Sequence, residues 1–526
     1  MNDIINLCLE KGFLVEPDIA DILKKTASID YFVFEKIIDI ISDMNEKKIL
    51  TKNFFVNNFY KIKLILENIA EQNKGKKESI LKSISFLSSS FELPKEEKPA
   101  EKAEERKEAE KKPIKEVKII ESYHIPGKKL EVEDFVRYFR KRFITIKNFL
   151  QDRKELENLT SINKITSQRQ NISLIAIVFS KRYTKNKNLF LEVEDLTGRT
   201  KVIVHHSKEC FSFARDLVED DIIGLRCSGN NEILFVNDII LPDIFAEKKK
   251  ATKEEYALFT ADLHVGSNNF MEKNFLRFVD WINGKIGSEK QKNIAEKIKY
   301  LFILGDIVDG VGIYPGQEEE LFIKDVTKQY DKVADLLSKI RKDITIIICP
   351  GNHDAVRIAE PQPLLNEKYA SSLYNLKNII FVSNPSFLNI ASTANFSGID
   401  VLLYHGHSFE HYANNVDQIR LKNPQKKPDV IMDFLLKRRH LAPTHGSVPY
   451  IPSEQCPMII KKIPNIFASG EMHKSSISYY NNILNIACSC WQEKTPYQEK
   501  VGHEPDPCKV PLLNLHNGKI NILDFS

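Results

Sequence analysis

Five short polar clusters in the C-terminal half of the sequence carry residue types that bind metal ions or move protons. Asp262 and His264 sit in "YALFTADLHVGS", Asp306 and Asp309 in "YLFILGDIVDG", and Asn352, His353 and Asp354 in "ITIIICPGNHD"; His405 and His407 sit in "VLLYHGH", Glu471 and His473 in "IFASGEMH". Each cluster follows an apolar run short enough to be a buried strand. Neighbouring strands of an open α/β sheet deliver their C-terminal loops to one crevice, so these loops are expected to converge. What converges is carboxylate, amide and imidazole, with no thiolate. Such donors suit paired Mn²⁺, Fe²⁺ or Zn²⁺ better than a structural zinc. Two ions about 4 Å apart can share a carboxylate, activate water and clamp the oxygens of a phosphate ester. Gly305, Gly351 and Gly406 let the chain turn sharply beside them. Taken singly, each cluster has a plainer explanation, because Asp-x-His is more often a surface turn and Gly-Asn-His-Asp is ordinary turn composition. The ordered set, each member after a strand, is one that chance would rarely produce.

That set resembles the calcineurin-like metallophosphoesterases. The resemblance implies one metal held by Asp262, His264, Asp306 and His473, and a second held by Asp306, Asn352, His405 and Glu471, with Asp306 bridging. It gives His353 the task of stabilising the transition state or protonating the leaving oxygen. Asp354 would orient that imidazole, and Asp309 would support a ligand rather than bind. His407 receives no role. The family usually carries Gly-His-x-His where this chain has Gly470-Glu471-Met472-His473. Glutamate can ligate Mn²⁺ or Fe²⁺ through oxygen, so the position reads either as an altered but working dimetal site or as one with a weakened second metal. Its length and charge would change the geometry, the metal preference and the pKa of the nucleophile.

The elements that must position these residues begin at about Ala251, where apolar runs alternate with helical stretches such as "FIKDVTKQYDKVADLLSKIRK". That is the pattern of a layered α/β domain. Upstream, "ISLIAIVFSKRY", "LFLEVEDLTGRTKVIVHH", "DIIGLRCSG" and "NEILFVNDIILPD" read as short strands, with turns at Asp195-Leu196-Thr197-Gly198 and Gly229-Asn230-Asn231. With one helical insert they fit a five-stranded OB-type barrel, a fold that binds single strands or serves as an interaction surface. Before it, "VEDFVRYFRKRFITIKNFL" alternates aromatic with basic residues. A helix packing one aromatic face would expose Arg137, Arg140, Lys141 and Arg142, either to a DNA backbone or, the commoner case, merely to solvent. The expected organisation is therefore multidomain: a small helical domain over 1–75, a charged linker over 76–118 that cannot bury a core, a helical connector over 119–165, an OB-fold over 166–247, and an α/β metallophosphoesterase sandwich with a C-terminal tail over 248–526.

Composition sets outer bounds. The 526 residues, 42% of them hydrophobic, supply several cores. With 76 basic and 72 acidic side chains, any contact with nucleic acid must come from local patches. Eight cysteines without a Cys-x-x-Cys pair argue against a disulfide framework or a zinc ribbon. No apolar run approaches the roughly 20 residues of a membrane helix, so the chain reads as cytoplasmic.

A barrel directly before a phosphoesterase domain, followed by "PGNHDAVRIAEPQP", "LAPTHGSVPYIP" and "CWQEKTPYQEKVGHEPDPCKVPLLNL", is similar to the small subunits of archaeal family D DNA polymerases, from about Glu121 to the C-terminus. This resemblance implies a 3′–5′ exonuclease that proofreads for a separate large catalytic subunit, with two divalent ions, Mn²⁺ favoured, activating water against the terminal phosphodiester. Its partners would be that large subunit, DNA with a 3′ end, and other replisome proteins at the nucleoid. Trp491 would anchor the core or a subunit interface, and the barrel would serve mainly for docking. The opposing reading is a catalytically inactive scaffold like the B-subunits of eukaryotic replicative polymerases, for which Glu471 alone speaks. A stand-alone phosphatase would explain the metal site but neither the barrel nor the tail.

Overall fold

The structure, a computed structural model, describes residues 117–526 apart from 128, and before them only residues 8, 11, 13–15 and 49–50. The chain divides into two units, Met1–Lys111 and Lys112–Ser526. In the first, Leu14–Val15 pairs in parallel with Ile49–Leu50. Otherwise the helical domain expected over 1–75, and the linker expected from 76 as far as residue 116, lie outside the described residues.

The second unit opens with strand β1 (Val117–Ser122), where a linker end and a helical connector were expected. Its backbone pairs antiparallel with a later strand and closes one sheet edge. Helix α1 (Val132–Gln151) starts at a reciprocal cap between Glu131 and Asp134, and buries Tyr138, Phe143, Ile146 and Leu150 along one side. Five strands then close a barrel: β2 (Gln170–Tyr183), β3 (Leu189–Asp195), β4 (Gly198–Val204), β5 (Ile222–Gly229) and β6 (Leu234–Ile240), in the order β2-β3-β4-β6-β5. A short helix, Phe211–Ala214, intervenes between β4 and β5. The β3–β4 register follows from turn chemistry: the Asp195 carboxylate accepts from Thr197 N at 2.7 Å and Gly198 N at 3.1 Å, setting Asp195 opposite Gly198. Alternation then turns Leu189, Leu191 and Val193 inward.

Two six-stranded sheets form the rest. The first contains β7 (Tyr256–Thr260), β8 (Ile298–Leu304), β9 (Thr345–Cys349) and β10 (Ile379–Phe381), all parallel, in the order β10-β9-β8-β7. Helix α2 (Glu272–Ile282) follows β7, and α3 (Val326–Ser338) follows β8. The second sheet contains β11 (Ser386–Ile390), β12 (Ile399–Leu403), β13 (Ile466–Ser469), β14 (Ser476–Tyr480) and β15 (Ile483–Ala487), in the order β14-β15-β13-β12-β11-β1, with helix α4 (Asp429–Arg438) inserted between β12 and β13. The C-terminal hairpin, β16 (Lys509–Asn514) and β17 (Ile520–Asp524), returns to extend the first sheet beside β7.

The sheets pack face to face through Phe259, Phe302 and Ile347 on one side and Leu388, Val401, Leu403 and Ile486 on the other. Helices α2 and α3 cover the outer face of the first sheet with Phe275, Phe278, Tyr330, Val333 and Leu337. Being covered on both faces, β7, β9 and the part of β8 beyond Lys299 are buried at every position rather than alternating. The outer face of the second sheet packs against α4, α1 and the barrel residues Ile175, Ile222 and Ile240. Trp491 belongs to the core under α2, its indole N–H donating to Thr260 Oγ1 at 2.7 Å. Among the described residues no helix is long and apolar enough to cross a membrane.

Candidate metal centre

Every cluster singled out in the sequence lies on the turn leaving a strand: β7, β8 and β9 from one sheet, β12 and β13 from the other. Because all five strands run the same way within their parallel pairs, their ends meet at one rim of the sandwich. The turns are unusual. Asp262, His264, Asp306, Glu471 and His473 take φ of 50°, 50°, 48°, 69° and 51°, the left-handed region that residues bearing a Cβ seldom adopt and that concentrates at functional sites.

These turns aim imidazole Nε2 atoms at carboxylates. His405 Nε2 lies 3.4 Å from Asp306 Oδ2 and 4.0 Å from Asp262 Oδ1; His264 Nε2 lies 3.9 Å from Asp306 Oδ2; His473 Nε2 lies 3.6 Å from Asp262 Oδ1. The opposite nitrogens are held from behind. His264 Nδ1 meets Asp309 Oδ1 at 3.0 Å, His405 Nδ1 meets Leu304 O at 2.7 Å, and His473 Nδ1 meets the Gln498 amide at 2.9 Å. In His264 and His405 the Nδ1–H donates to an oxygen, which leaves Nε2 as a ligand, whereas in His473 the Gln498 NH2 faces Nδ1 and orients the ring. Asp309 is itself clamped by the amides of Gln317, at 2.8 Å, and Gln492, at 3.2 Å.

Among the described residues three sets of donors lie close enough together to hold an ion: Asp262, His264 and His473; His264, Asp306 and His353; and Asp262, Asp306 and His405. Asp262, His264 and Asp306 each belong to two of these sets, so the sets overlap. Asn352 Oδ1 is buried without a hydrogen-bond partner, and His405 Nε2 makes no well-directed hydrogen bond. Buried polar atoms are seldom left so, and an ion would satisfy both, so the residues present fit a pair of divalent cations. Burial alone would raise the Asp306 carboxyl, yet the imidazoles of His405, His353 and His264 hold it well below the usual carboxylate range. Burial works against a proton on His405, and Asp306, Glu471 and Asp262 overcome it, raising that imidazole well above its ordinary value. The pocket is thus a dense array of anionic oxygen and imidazole poised for cations.

Residues 256–474 match the calcineurin-like phosphoesterase family. Over 398 residues the chain is 37% identical to the DNA polymerase II small subunit of Methanothermobacter thermautotrophicus, covering 75% of this chain and 80% of that protein. The chain belongs to the DNA polymerase II small-subunit family. The small subunit of Archaeoglobus fulgidus is 37% identical over 383 residues, 72% of this chain and 75% of its own length. That of Pyrococcus furiosus is 35% identical over 403 residues, 75% of this chain and 64% of its own length.

In this family member the glutamate at position 471 turns toward the cluster. Its Oε2 lies 2.9 Å from His405 Nε2 and its backbone N–H donates to Asp262 at 3.1 Å, although Glu471 joins none of the three donor sets. His353 donates its backbone N–H to Asp306 Oδ1 at 2.8 Å, and its Nδ1 faces the main-chain oxygen of Asp309 at 2.8 Å. That carbonyl, not Asp354, orients the ring. The Asp354 carboxylate instead accepts from Gly351 N at 2.9 Å and Tyr330 Oη at 3.2 Å, stapling its own turn to α3, because it points back under the loop rather than along it. Burial and nearby Asp306 push it up to about 7. Arg137, Arg140 and Lys141 lie exposed on α1. Arg142, expected beside them, is buried, its guanidinium donating to the carbonyls of Asp220 and Pro443 and tying the barrel to the phosphoesterase domain. Its position on the helix faces that junction. Gln317, Gln492 and Gln498 carry no signal in the sequence that would reveal them as props of the site.

Proposed function

We propose that this chain is the metal-dependent 3′–5′ exonuclease subunit of a two-subunit archaeal DNA polymerase, removing terminal nucleotides from 3′ ends for a large catalytic subunit to which it docks. The observation that carries this reading is the ligand array: buried carboxylates, an unpartnered Asn352 oxygen and back-braced imidazoles on turns held in left-handed backbone. Asp262, His264, Asp306 and His473 would hold one ion; Asp306, Asn352, His405 and Glu471 the other. When bound, such ions, Mn²⁺ foremost, supply Lewis acidity toward the phosphodiester and acidify water. The chain's own part is to hold that array rigid and to bring His353 to the reacting phosphate. With Nδ1–H donated to the Asp309 carbonyl, Nε2 of His353 carries a proton only in the imidazolium, which Asp306 and that carbonyl favour against burial, and in that form it would stabilise developing charge or give the proton to the leaving oxygen. We read the closed barrel with its helix between β4 and β5 as OB-type and as part of the docking surface for the large subunit. The basic residues Arg137, Arg140 and Lys141 are offered as a DNA-backbone contact.

One observation favours a second reading. Glu471 occupies the space in front of His405 Nε2 at 2.9 Å, where it can act as ligand or block one. Should it block, the subunit is a scaffold with a weakened site. The deciding test is digestion of a 5′-labelled oligonucleotide by the full chain in Mn²⁺, with and without the large subunit, alongside Asp306→Ala. A ladder of shortened products that disappears in the variant is expected. Intact DNA throughout, with the two subunits still co-purifying, would establish the scaffold.

A further inference from the structure

A cleft of about 710 Å³ opens beside the metal cluster, with His353 and Asp354 in its wall. Away from these two, Val311, Ile313, Val356 and Tyr369 make much of its lining. Val311 and Ile313 are 44% and 38% exposed, an apolar surface carried out on the loop after β8. On the same loop the Tyr314 ring stands edge-on to His353, with 6.4 Å between centroids. The one guanidinium in the lining, that of Arg357, spends its N–H groups on the carbonyls of Ile125, Ala359 and Pro361, so it is not offered to a phosphate.

A space that is largely apolar with an aromatic wall, lacks a free guanidinium and adjoins a phosphoester site suits a base rather than a phosphate. Its volume falls within the range of small-ligand pockets, roughly 300–1,000 Å³, which admits an extruded nucleotide but not a duplex. We propose that this cleft is the subsite for the base attached to the phosphate under attack, gripped by Val311, Ile313 and Tyr369. The inference rests on the exonuclease reading for the reaction and adds where the base goes. The phosphate then faces the ligand array while the base turns away from it past His353.

The test is fluorescence anisotropy with the full chain, comparing an oligonucleotide ending in a normal 3′ nucleotide with one ending in an abasic nucleotide. The wild type should bind the normal end about tenfold more tightly, the scale of one stacked base. Val311→Ser/Ile313→Ser should remove most of that ratio, and Tyr369→Phe, which keeps the ring, should retain it. Equal affinity for the two ends in the wild type, or an unchanged ratio in the double variant, overturns the proposal. Cleavage of the same oligonucleotides in Mn²⁺ is scored in parallel. Base-dependent binding without cleavage would support the subsite while sinking the exonuclease reading.

Discussion

Gly351 stands at the turn after β9, amid the ligands, and a methyl group on it has nowhere to go. The added carbon would lie 2.6 Å from the Asp306 main-chain nitrogen and 2.8 Å from His405 Nε2, and closer still to an Asp306 carboxylate oxygen. Unstrained carbon contacts need about 3.5 Å, so the shortfall is close to 1 Å on each atom. The main-chain nitrogen cannot swing aside, which leaves the Asp306 carboxylate and the His405 ring to move. Displacing such groups by about 1 Å lowers rates by roughly 10²-fold, about 2.7 kcal/mol of transition-state stabilisation. Overpacking adds a stability loss of about 1–3 kcal/mol. We expect Gly351→Ala to hydrolyse a chromogenic phosphodiester in Mn²⁺ about a hundredfold more slowly, and to retain fewer ions after dialysis. Gly127→Ala is the control, since a methyl there meets nothing within 4 Å. If Gly351→Ala kept the wild-type rate and ion stoichiometry, the ligands would not surround that point and the assignment of the centre would be wrong.

Glu471→His removes the carboxylate 2.9 Å from His405 Nε2 and installs a second imidazole. Titration calorimetry should find the weaker Mn²⁺ site unchanged or loosened, as it must be where the carboxylate already ligates, whereas a site tightened on the order of tenfold would identify Glu471 as a block and favour the scaffold. Arg438→Ala strips the buried partner of Asp221, 2.8 Å away across the junction of barrel and phosphoesterase domain; an orphaned charge should lower stability by about 3–5 kcal/mol in urea, and a loss below about 1 kcal/mol would show the junction does not depend on this pair. Burial pushes the Glu360 carboxyl from its ordinary 4.5 up to about 8, with the Tyr404 hydroxyl pulling the other way. The folded chain therefore holds this proton more tightly than the unfolded one, and stability is lost as pH rises from about 4.5 to 8. Glu360→Gln mimics the protonated group and should melt higher than wild type at pH 8, with the gap closing near pH 4.5; a gap independent of pH would refute the argument.

The phosphoesterase half was legible because its chemistry and its secondary structure share one local signal. A parallel strand buried on both faces must be an unbroken apolar run, and the polar residue that ends it is where a ligand belongs. Asp262, Asp306, Asn352, His405 and Glu471 announce themselves in this way, and the Asp195 to Gly198 turn set the β3–β4 hairpin by the same local logic. Contacts between distant segments leave no such local signal. Strand β1 was invisible at the end of a Glu/Lys run because its partner, β11, lies more than 260 residues away. Arg142 is buried where the sequence predicts exposure because helical periodicity shows which residues share a side, not what that side meets.

The residue types of the centre, their order and their place after apolar strands were thus determined by the sequence alone, since each depends on neighbours within a few positions. Tertiary structure decided what those residues do to one another. It set Glu471 against His405 and gave the orientation of His353 to the Asp309 carbonyl rather than to Asp354. It brought Gln317, Gln492 and Gln498 in behind the ligands, and it opened an apolar cleft beside them. Such relations join loops from two sheets and a C-terminal tail, and hydrogen bonds of about 3 Å are specified only when the whole sandwich has closed.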